Sequence, residues 1–309
     1  VELSDTRSGV LIWSERFPAA LDDLHDARTL IVSSVVNALE LHVPVNEASV
    51  ARLAASEDLD AWSAYHIGLQ HVYRFSGADN SVAANYFERA TQLDPQFARA
   101  FAGRSFAAFQ SAFMQYSGDV DQHRVDASRF AETAVELDPM DPFCNYNLAR
   151  TYWLDGKPDQ GLDLLQRATD INPNFAQGFY ARAWTDVMGG RGASGIANVE
   201  RALTLSPLDP LLYAMQATKG MAHLLQGETG DAAAWAEKAA RTPGAHFLIG
   251  AIAAALLQIH GDTAQAQYWS ARVRKRRSDL TQEHFFTAFP FVDPDLRRNM
   301  ADALKACGF

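Results

Sequence analysis

The stretch PFCNYNLARTYWLDGKPDQGLDLLQRATDINP, residues 142–173, decides the fold of this 309-residue chain. Its first half places Leu148, Ala149 and Tyr152 on one helix, and its second half places Gly161, Leu165 and Ala168 on another. The turn signal DGK at 155–157 separates the two halves. Small residues belong where two helices cross closely, and large residues fill the space between them. The stretch therefore predicts a pair of packed helices that ends at Pro173.

The same unit recurs along the chain. The phrases QLDP, ELDP, DINP and TLSP end at Pro95, Pro139, Pro173 and Pro207, and Pro243 follows. The successive intervals are 44, 34, 34 and 36 residues. A period of 34 residues is that of the tetratricopeptide repeat. We therefore predict an all-α fold, a right-handed tetratricopeptide-repeat superhelix (an α-α solenoid), with about five helical pairs between residues 60 and 277.

Three details refine this prediction. Asp141, Asp209 and Asp293 each precede a proline, which predicts three N-caps followed by proline at the first helical position. The second unit has ten extra residues near 114–124, which predict a long first helix, about 98–115, and an extended turn before Arg124. The insertion is either a functional loop or a tolerated surface insertion. Arg182 stands where the repeat pattern favours leucine, and Asp186 stands where it favours an aromatic residue.

A repeat array turns the same positions of each first helix toward the inside of the superhelix. Counting these positions gives an inner face that is unusually aromatic. The predicted binding residues are Phe106, Phe109, Phe143, Tyr146, Arg150, Trp153, Tyr180, Trp184 and Met188, with Leu154 and Val187 beside them. An exposed face of this kind implies a ligand or partner. The alternative is that the N-terminal or C-terminal segment of the chain fills it.

The two ends of the chain depart from the repeat. GVLIWSERF, residues 9–17, alternates like a strand in a chain that is otherwise helical. An amphipathic helix is expected over 19–41, and a second short helix after Asn46 as its N-cap. Near the C-terminus, Phe285, Phe286, Phe289 and Phe291 form an aromatic cluster. Repeat arrays need an atypical terminal unit to close the core, so residues 278–309 are expected to cap the array.

Composition and charge narrow the function classes. The net charge of −10 argues against nucleic-acid binding by this chain, and the basic run RVRKRR at 272–277 is interpreted as the last turn of a helix. No apolar run is long enough to span a membrane. Two distant cysteines argue against a disulfide framework and fit a reducing compartment, which predicts a cytoplasmic protein.

No catalytic or cofactor motif stands out. The sequence lacks a Gly-rich phosphate loop, a Gly-x-Ser-x-Gly elbow and a Cys-x-x-Cys pair. Its nine histidines are scattered, and His66 and His71 are five residues apart, so they do not share a helix face as a metal pair would. We therefore predict no enzyme activity, no cofactor and no metal site.

Three segments resemble a known group of proteins. SDTRSGVLIWSERFPAALDDL at 4–24, SAYHIGLQHVYRFS at 63–76 and FPFVDPDLRRNMADALKACGF at 289–309 resemble the C-terminal tetratricopeptide-repeat region of bacterial multidomain signalling proteins. In those proteins the region follows a winged-helix DNA-binding domain or a class III nucleotide cyclase domain. The resemblance implies that residues 1–3 and 10–17 are the last strands of a small α/β segment, a β-hairpin remnant with its turn at 6–9.

The resulting hypothesis is a non-catalytic regulatory and protein-interaction module of a bacterial signalling or transcriptional regulator. It would bind a peptide, protein or small effector on its concave face, or form a homodimer through its N-terminal segment. The predicted divisions are 1–57 for the α/β remnant and connecting helices, 58–277 for the repeats and 278–309 for the cap. The alternatives are a free-standing scaffold or chaperone-like adaptor and, third, an enzyme.

Overall fold

The computed structural model describes residues 1–6, 9–17, 24–51, 59–116 and 119–309, and most of these residues are helical. Helix α1, Leu24–Ala51, precedes a series of helices that pack in consecutive pairs. The pairs are α2 (Ala61–Val72) with α3 (Gly77–Leu93), α4 (Ala98–Met114) with α5 (Val120–Leu137), α6 (Pro142–Leu154) with α7 (Leu162–Ile171), α8 (Ala176–Met188) with α9 (Gly192–Leu205), α10 (Leu212–Leu225) with α11 (Thr229–Arg241), and α12 (Phe247–His260) with α13 (Thr263–Arg276). Two further helices follow, α14 (Gln282–Ala288) and α15 (Pro294–Ala306). The fold is the predicted tetratricopeptide-type α-solenoid.

Between residues 61 and 276 the described chain forms six helical pairs, one more than the repeat phrases indicated. The additional pair is α12 with α13. No proline phrase of the LDP type closes it, so the spacing of the phrases could not reveal it. The turn between its helices lies where the sequence has HGD, and Gly261 takes a φ of 96° there, in the left-handed region that favours glycine.

Close helix crossings explain the small residues of the repeat. A Cβ atom on Gly161 would lie 2.6 Å from the carbonyl oxygen of Ala149 on the partner helix. In the first pair, a Cβ on Gly68 would lie 2.6 Å from the ring of Phe87, which also packs against Gly103 of the next pair. Only glycine allows the backbones and this ring to approach so closely.

Two of the three predicted Asp-Pro caps are present. Asp141 accepts a hydrogen bond from the Cys144 amide (3.0 Å), and Asp293 accepts one from the Leu296 amide (2.7 Å). Asp209 differs, because α10 begins only at Leu212 and its N-cap position is Leu211. Asp209 instead accepts from the Leu211 amide (2.8 Å) in the turn before the helix, and its side chain is buried.

The ten-residue insertion lengthens both helices of the second pair. Helices α4 and α5 have 17 and 18 residues, whereas α6 and α7 have 13 and 10. The predicted first helix over 98–115 is therefore confirmed, with Gln115 as its left-handed C-cap (φ 51°). The expected extended turn before Arg124 is wrong, because α5 begins at Val120; residues 117–118 lie outside the described chain.

At the N-terminus a short antiparallel hairpin joins β1 (Glu2–Ser4) to β2 (Leu11–Ser14), with Leu3 opposite Trp13. Part of the predicted turn, residues 7–8, lies outside the described chain, as does the expected start of the following helix, residues 19–23. The separate helix after Asn46 is wrong, since α1 continues through Pro44 to Ala51. Asn46 does not cap a helix; its Nδ2 donates to Asp5 Oδ2 (3.3 Å) and links α1 to the hairpin.

The basic run 272–277 ends α13, and its arginines donate to carbonyl groups of other elements. Arg274 donates to the carbonyls of Cys307 and Gly308 at the end of α15 (2.7 and 2.8 Å). Arg276 donates to Ala245 O (2.7 Å) before α12. These arginines therefore join elements of the fold.

Among the described helices, none has an apolar stretch long enough to cross a bilayer.

Candidate ligand site inside the superhelix

The nine predicted binding residues lie together on three first helices, α4, α6 and α8. All nine are buried, with at most 9% of the side-chain surface exposed. Their rings contact one another across the repeats: Phe109 packs edge-on against Trp153 with ring centroids 6.0 Å apart, and Phe106 packs against Phe143 at 6.5 Å. The inner face is thus assembled as counted, and other parts of the same chain cover it. Binding of a partner there stays a prediction.

The C-terminal aromatic cluster provides much of this cover. We call residues 285–293 the plug. Phe289 lies edge-on to Phe113 and Trp184, with centroid distances of 5.3 and 5.1 Å. Two backbone hydrogen bonds hold the end of the plug, because the amides of Val292 and Asp293 both donate to Met188 O (2.9 and 3.2 Å). The segment expected to cap the array therefore also fills its interior.

The first and last repeats also meet inside the superhelix. Phe75, after α2, stacks on His246 with centroids 5.3 Å apart and lies edge-on to Tyr213 at 6.1 Å. Arg277 donates to the carbonyls of Met114 and Gln115 at the end of α4 (3.4 and 3.3 Å). These contacts join residues far apart in sequence, so the array is closed on itself.

A small cavity of about 30 Å³ remains in the centre. Arg150 is its charged member, and ring faces from all parts of the array surround it. Residues that sequence counting missed also line the cavity, from the loop after α2, the end of α4, α10, α12 and the plug. They are Phe75, Phe113, Leu211, Tyr213, Ala214, Ala217, Thr218, His246, Ile249, Ile252 and Phe289. The signal for several of these was present in the sequence. Leu211, Ala214 and Thr218 lie one, four and eight residues after Pro210, as Phe143, Tyr146 and Arg150 do after Pro142.

A polar chain crosses the buried interior beside this cavity. The Tyr73 hydroxyl donates to Gln177 Oε1 (3.1 Å), and Gln177 Nε2 donates to Asp209 Oδ1 (3.4 Å). Burial raises the pKa of Asp209 to about 6. Burial has the opposite effect on a base and lowers the pKa of His246 to about 3, so this imidazole is neutral at pH 7.

This burial predicts a pH-dependent effect of Asp209→Asn. The pKa of Asp209 is higher in the folded chain, about 6, than in the unfolded chain, about 4. The folded chain is therefore most stable below about pH 4 and loses this stability as the pH rises through about 6. Asp209→Asn lacks this titration. From about pH 4 to about pH 6, its unfolding free energy should therefore rise relative to that of the natural chain by up to about 2–3 kcal/mol. Urea unfolding across this range measures the difference. Exposed Asp163→Asn is the control, and an equal pH dependence of the natural chain and Asp209→Asn would contradict the prediction.

The two departures from the repeat pattern in α8 are explained by local polar contacts. Asp186 is buried but fully engaged: it accepts from Arg191 Nε (2.8 Å), Ser194 Oγ (2.6 Å) and Asn198 Nδ2 (3.0 Å). Arg182 donates to Thr169 Oγ1 (3.0 Å) on the preceding helix. The charges therefore replace apolar packing at the helix crossing and support the fold.

One cluster has the composition of a metal site. The ligand atoms of His223, Glu228 and Asp231 all lie within 4.8 Å of one another, and His223 Nδ1 is 2.5 Å from Glu228 Oε2. The two carboxylates are solvent-exposed at the turn between α10 and α11. An exposed group of this kind is common without a metal, and the His–Glu contact accounts for its geometry.

Comparisons with known proteins agree with this architecture. A family model of the tetratricopeptide repeat matches residues 144–175. A stretch of 148 residues is 24% identical to "Putative adenylate cyclase 3" of Rhizobium meliloti (strain 1021); it covers 48% of this chain and 25% of that protein. The chain thus spans about a quarter of the length of this relative.

Two solved structures share the overall arrangement. The human IFIT1 dimer with PPP-AAAA aligns with a TM-score of 0.59 and 15% identity over 92% of this chain and 72% of its own. The Cut9 and Hcn1 assembly of the APC/C aligns with a TM-score of 0.55 and 15% identity over 88% of this chain and 45% of its own. Together with the repeat match, these likenesses identify the fold of the chain as a tetratricopeptide-repeat solenoid.

Proposed function

We propose that this chain is a non-catalytic regulatory and protein-interaction module of a bacterial signalling or transcriptional regulator. The observation that carries the proposal is the inner face, where aromatic side chains line the superhelix and the plug covers the part around Trp184. A peptide or protein partner would reach Trp184 and its neighbours by displacing the plug. The similarity to a putative adenylate cyclase supports a signalling context.

The proposed organisation follows the sequence divisions. Residues 1–57 form the end of a small α/β segment with its connecting helix, 58–277 the repeats and 278–309 the cap. The hairpin supports the first division, because in the described chain it forms a sheet of two strands only. Cys144 and Cys307 are both buried and unpaired, which supports a reducing, cytoplasmic location.

Reading the full gene upstream of Val1 tests this function. We expect the coding sequence to continue into an effector domain, either a class III nucleotide cyclase or a winged-helix domain. The purified full-length product should then show cyclase activity or DNA binding that changes when the plug is mutated. A start codon within a few residues of Val1 would contradict the proposal and favour the alternative, a free-standing scaffold or adaptor.

Homodimerisation through the N-terminal segment is part of the same proposal. Val10 and Leu11 of the hairpin are 58% and 51% exposed, and α1 exposes Val32 and Val45 to a similar extent. Strand edges and apolar surface of this kind favour pairing with a second copy.

Light scattering should therefore give the mass of a dimer for the natural chain and a lower average mass for Leu11→Lys. Met140→Lys is the matched control, since Met140 is also apolar and 60% exposed but lies in the turn between α5 and α6. A natural chain that is monomeric at high protein concentration would contradict dimerisation.

A further inference from the structure

The central cavity contains a buried positive charge that aromatic rings enclose. Arg150, on α6, is only 4% exposed. Its guanidinium carbon lies 4.0 Å from the ring centroid of Phe109, 4.4 Å from Phe106 and 4.9 Å from Tyr146. The guanidinium therefore lies largely within the core, whereas arginine is usually found at the solvated surface.

Protein groups do not neutralise this charge. In the described part of the chain, Arg150 Nε and Nη1 make no hydrogen bond of acceptable geometry, although the Tyr146 hydroxyl lies close to the guanidinium. No carboxylate oxygen lies within 4.0 Å of the guanidinium nitrogens. Asp209, the buried carboxyl nearby, is engaged by Leu211 and Gln177 instead. Cation–π contacts stabilise a desolvated guanidinium only in part, and an unpaired buried charge is otherwise strongly unfavourable.

Other unpaired polar atoms line the same space. Tyr213 contributes a buried hydroxyl and His246 a buried Nδ1, and neither atom has a hydrogen-bond partner among the described residues. The Tyr213 hydroxyl can donate a hydrogen bond to a negatively charged acceptor. Arg150 can supply two parallel N–H donors from its planar fork. The donors available in the cavity thus match an anion.

We propose that the cavity binds one small monovalent anion of halide size, held by Arg150 and the Tyr213 hydroxyl. The volume of about 30 Å³ exceeds what one water molecule requires, so the cavity has room for a small ion. A single positive charge in aromatic surroundings is balanced by a single negative charge. The anion would complete the interior beneath the plug and stabilise the closed superhelix.

Thermal unfolding in matched salts tests the site with chloride as the probe. The natural chain is melted at a constant sodium concentration of about 150 mM, near physiological ionic strength, with chloride progressively replacing gluconate, which is too large for the cavity. Because a ligand that binds only the folded state raises its stability, we expect the Tm to rise by about 2–4 °C in chloride.

Arg150→Met removes the charge and keeps an unbranched apolar side chain, so it should fold and lose the chloride response. Arg182→Met is the matched control, since Arg182 is only half-buried, lies 5.8 Å from the Phe179 ring and is outside the cavity; it should keep the response. An equal chloride response of the natural chain and Arg150→Met would overturn the proposal.

A crystal of the natural chain grown in bromide gives a second, independent readout. We expect an anomalous peak within hydrogen-bonding distance of Arg150 Nε or Nη1. Density there without anomalous signal would identify a water molecule and overturn the proposal, whatever the stability of the variants.

Discussion

Replacing Phe289 with alanine should lower the free energy of unfolding by about 3–5 kcal/mol, as for other buried aromatic residues. Phe289 is 2% exposed and inserts between Phe113 and Trp184, so alanine would leave a cavity that helices α4 and α8 cannot both close. Contacts within each helical pair are local, whereas the plug is held by elements far apart in sequence, so the plug should detach before the repeats unfold.

Two measurements distinguish this release from general destabilisation. Amide exchange should accelerate at Val292 and Asp293, whose N–H groups bond to Met188 O, while the amides of α6 keep their protection. The emission of Trp184 should shift to longer wavelength as water reaches it. Thr287→Ala, an exposed position of α14, should change stability by less than about 0.5 kcal/mol. Unchanged exchange at 292–293 in Phe289→Ala would show that the plug does not depend on this ring.

A loss of about 3–5 kcal/mol is also expected for Phe87→Ala, by a different mechanism. Phe87 is fully buried and lies between Gly68 of α2 and Gly103 of α4. Neither glycine has a side chain that could move into the space that alanine leaves. The cavity should therefore persist and weaken the first two helical pairs, while the plug remains in place.

A double-mutant cycle sharpens this prediction. A Cβ atom on Gly103 would lie 2.5 Å from the Phe87 ring, so Gly103→Ala alone should be destabilising. In the Phe87→Ala background the same methyl group has room, and its cost should disappear. Denaturant unfolding of the four proteins measures the coupling. Leu93→Ala, at an exposed position of α3, is the control, and additive effects of the two substitutions would contradict the packing described here.

The repeat period alone predicted the fold because each helical pair is specified locally. Gly161 lies where two backbones cross, Asp141 caps the helix that follows it, and the aromatic residues recur on one side of each first helix. These features depend on residues within about one period, so their spacing in the sequence determines them. The sixth pair was missed for the same reason, since no repeat phrase marks its end.

The sequence by itself determined the solenoid and the side chains that α4, α6 and α8 turn toward its interior. Only the tertiary structure decided what lies against them. Phe75, His246 and Phe289 reach Arg150 and its neighbours from the first pair, the last pair and the C-terminal segment. Whether such distant elements meet depends on the rotation that accumulates from pair to pair along the array. The local period specifies each helical pair but not the accumulated rotation between pairs. The closed interior and the buried charge of Arg150 are therefore visible only in the tertiary structure.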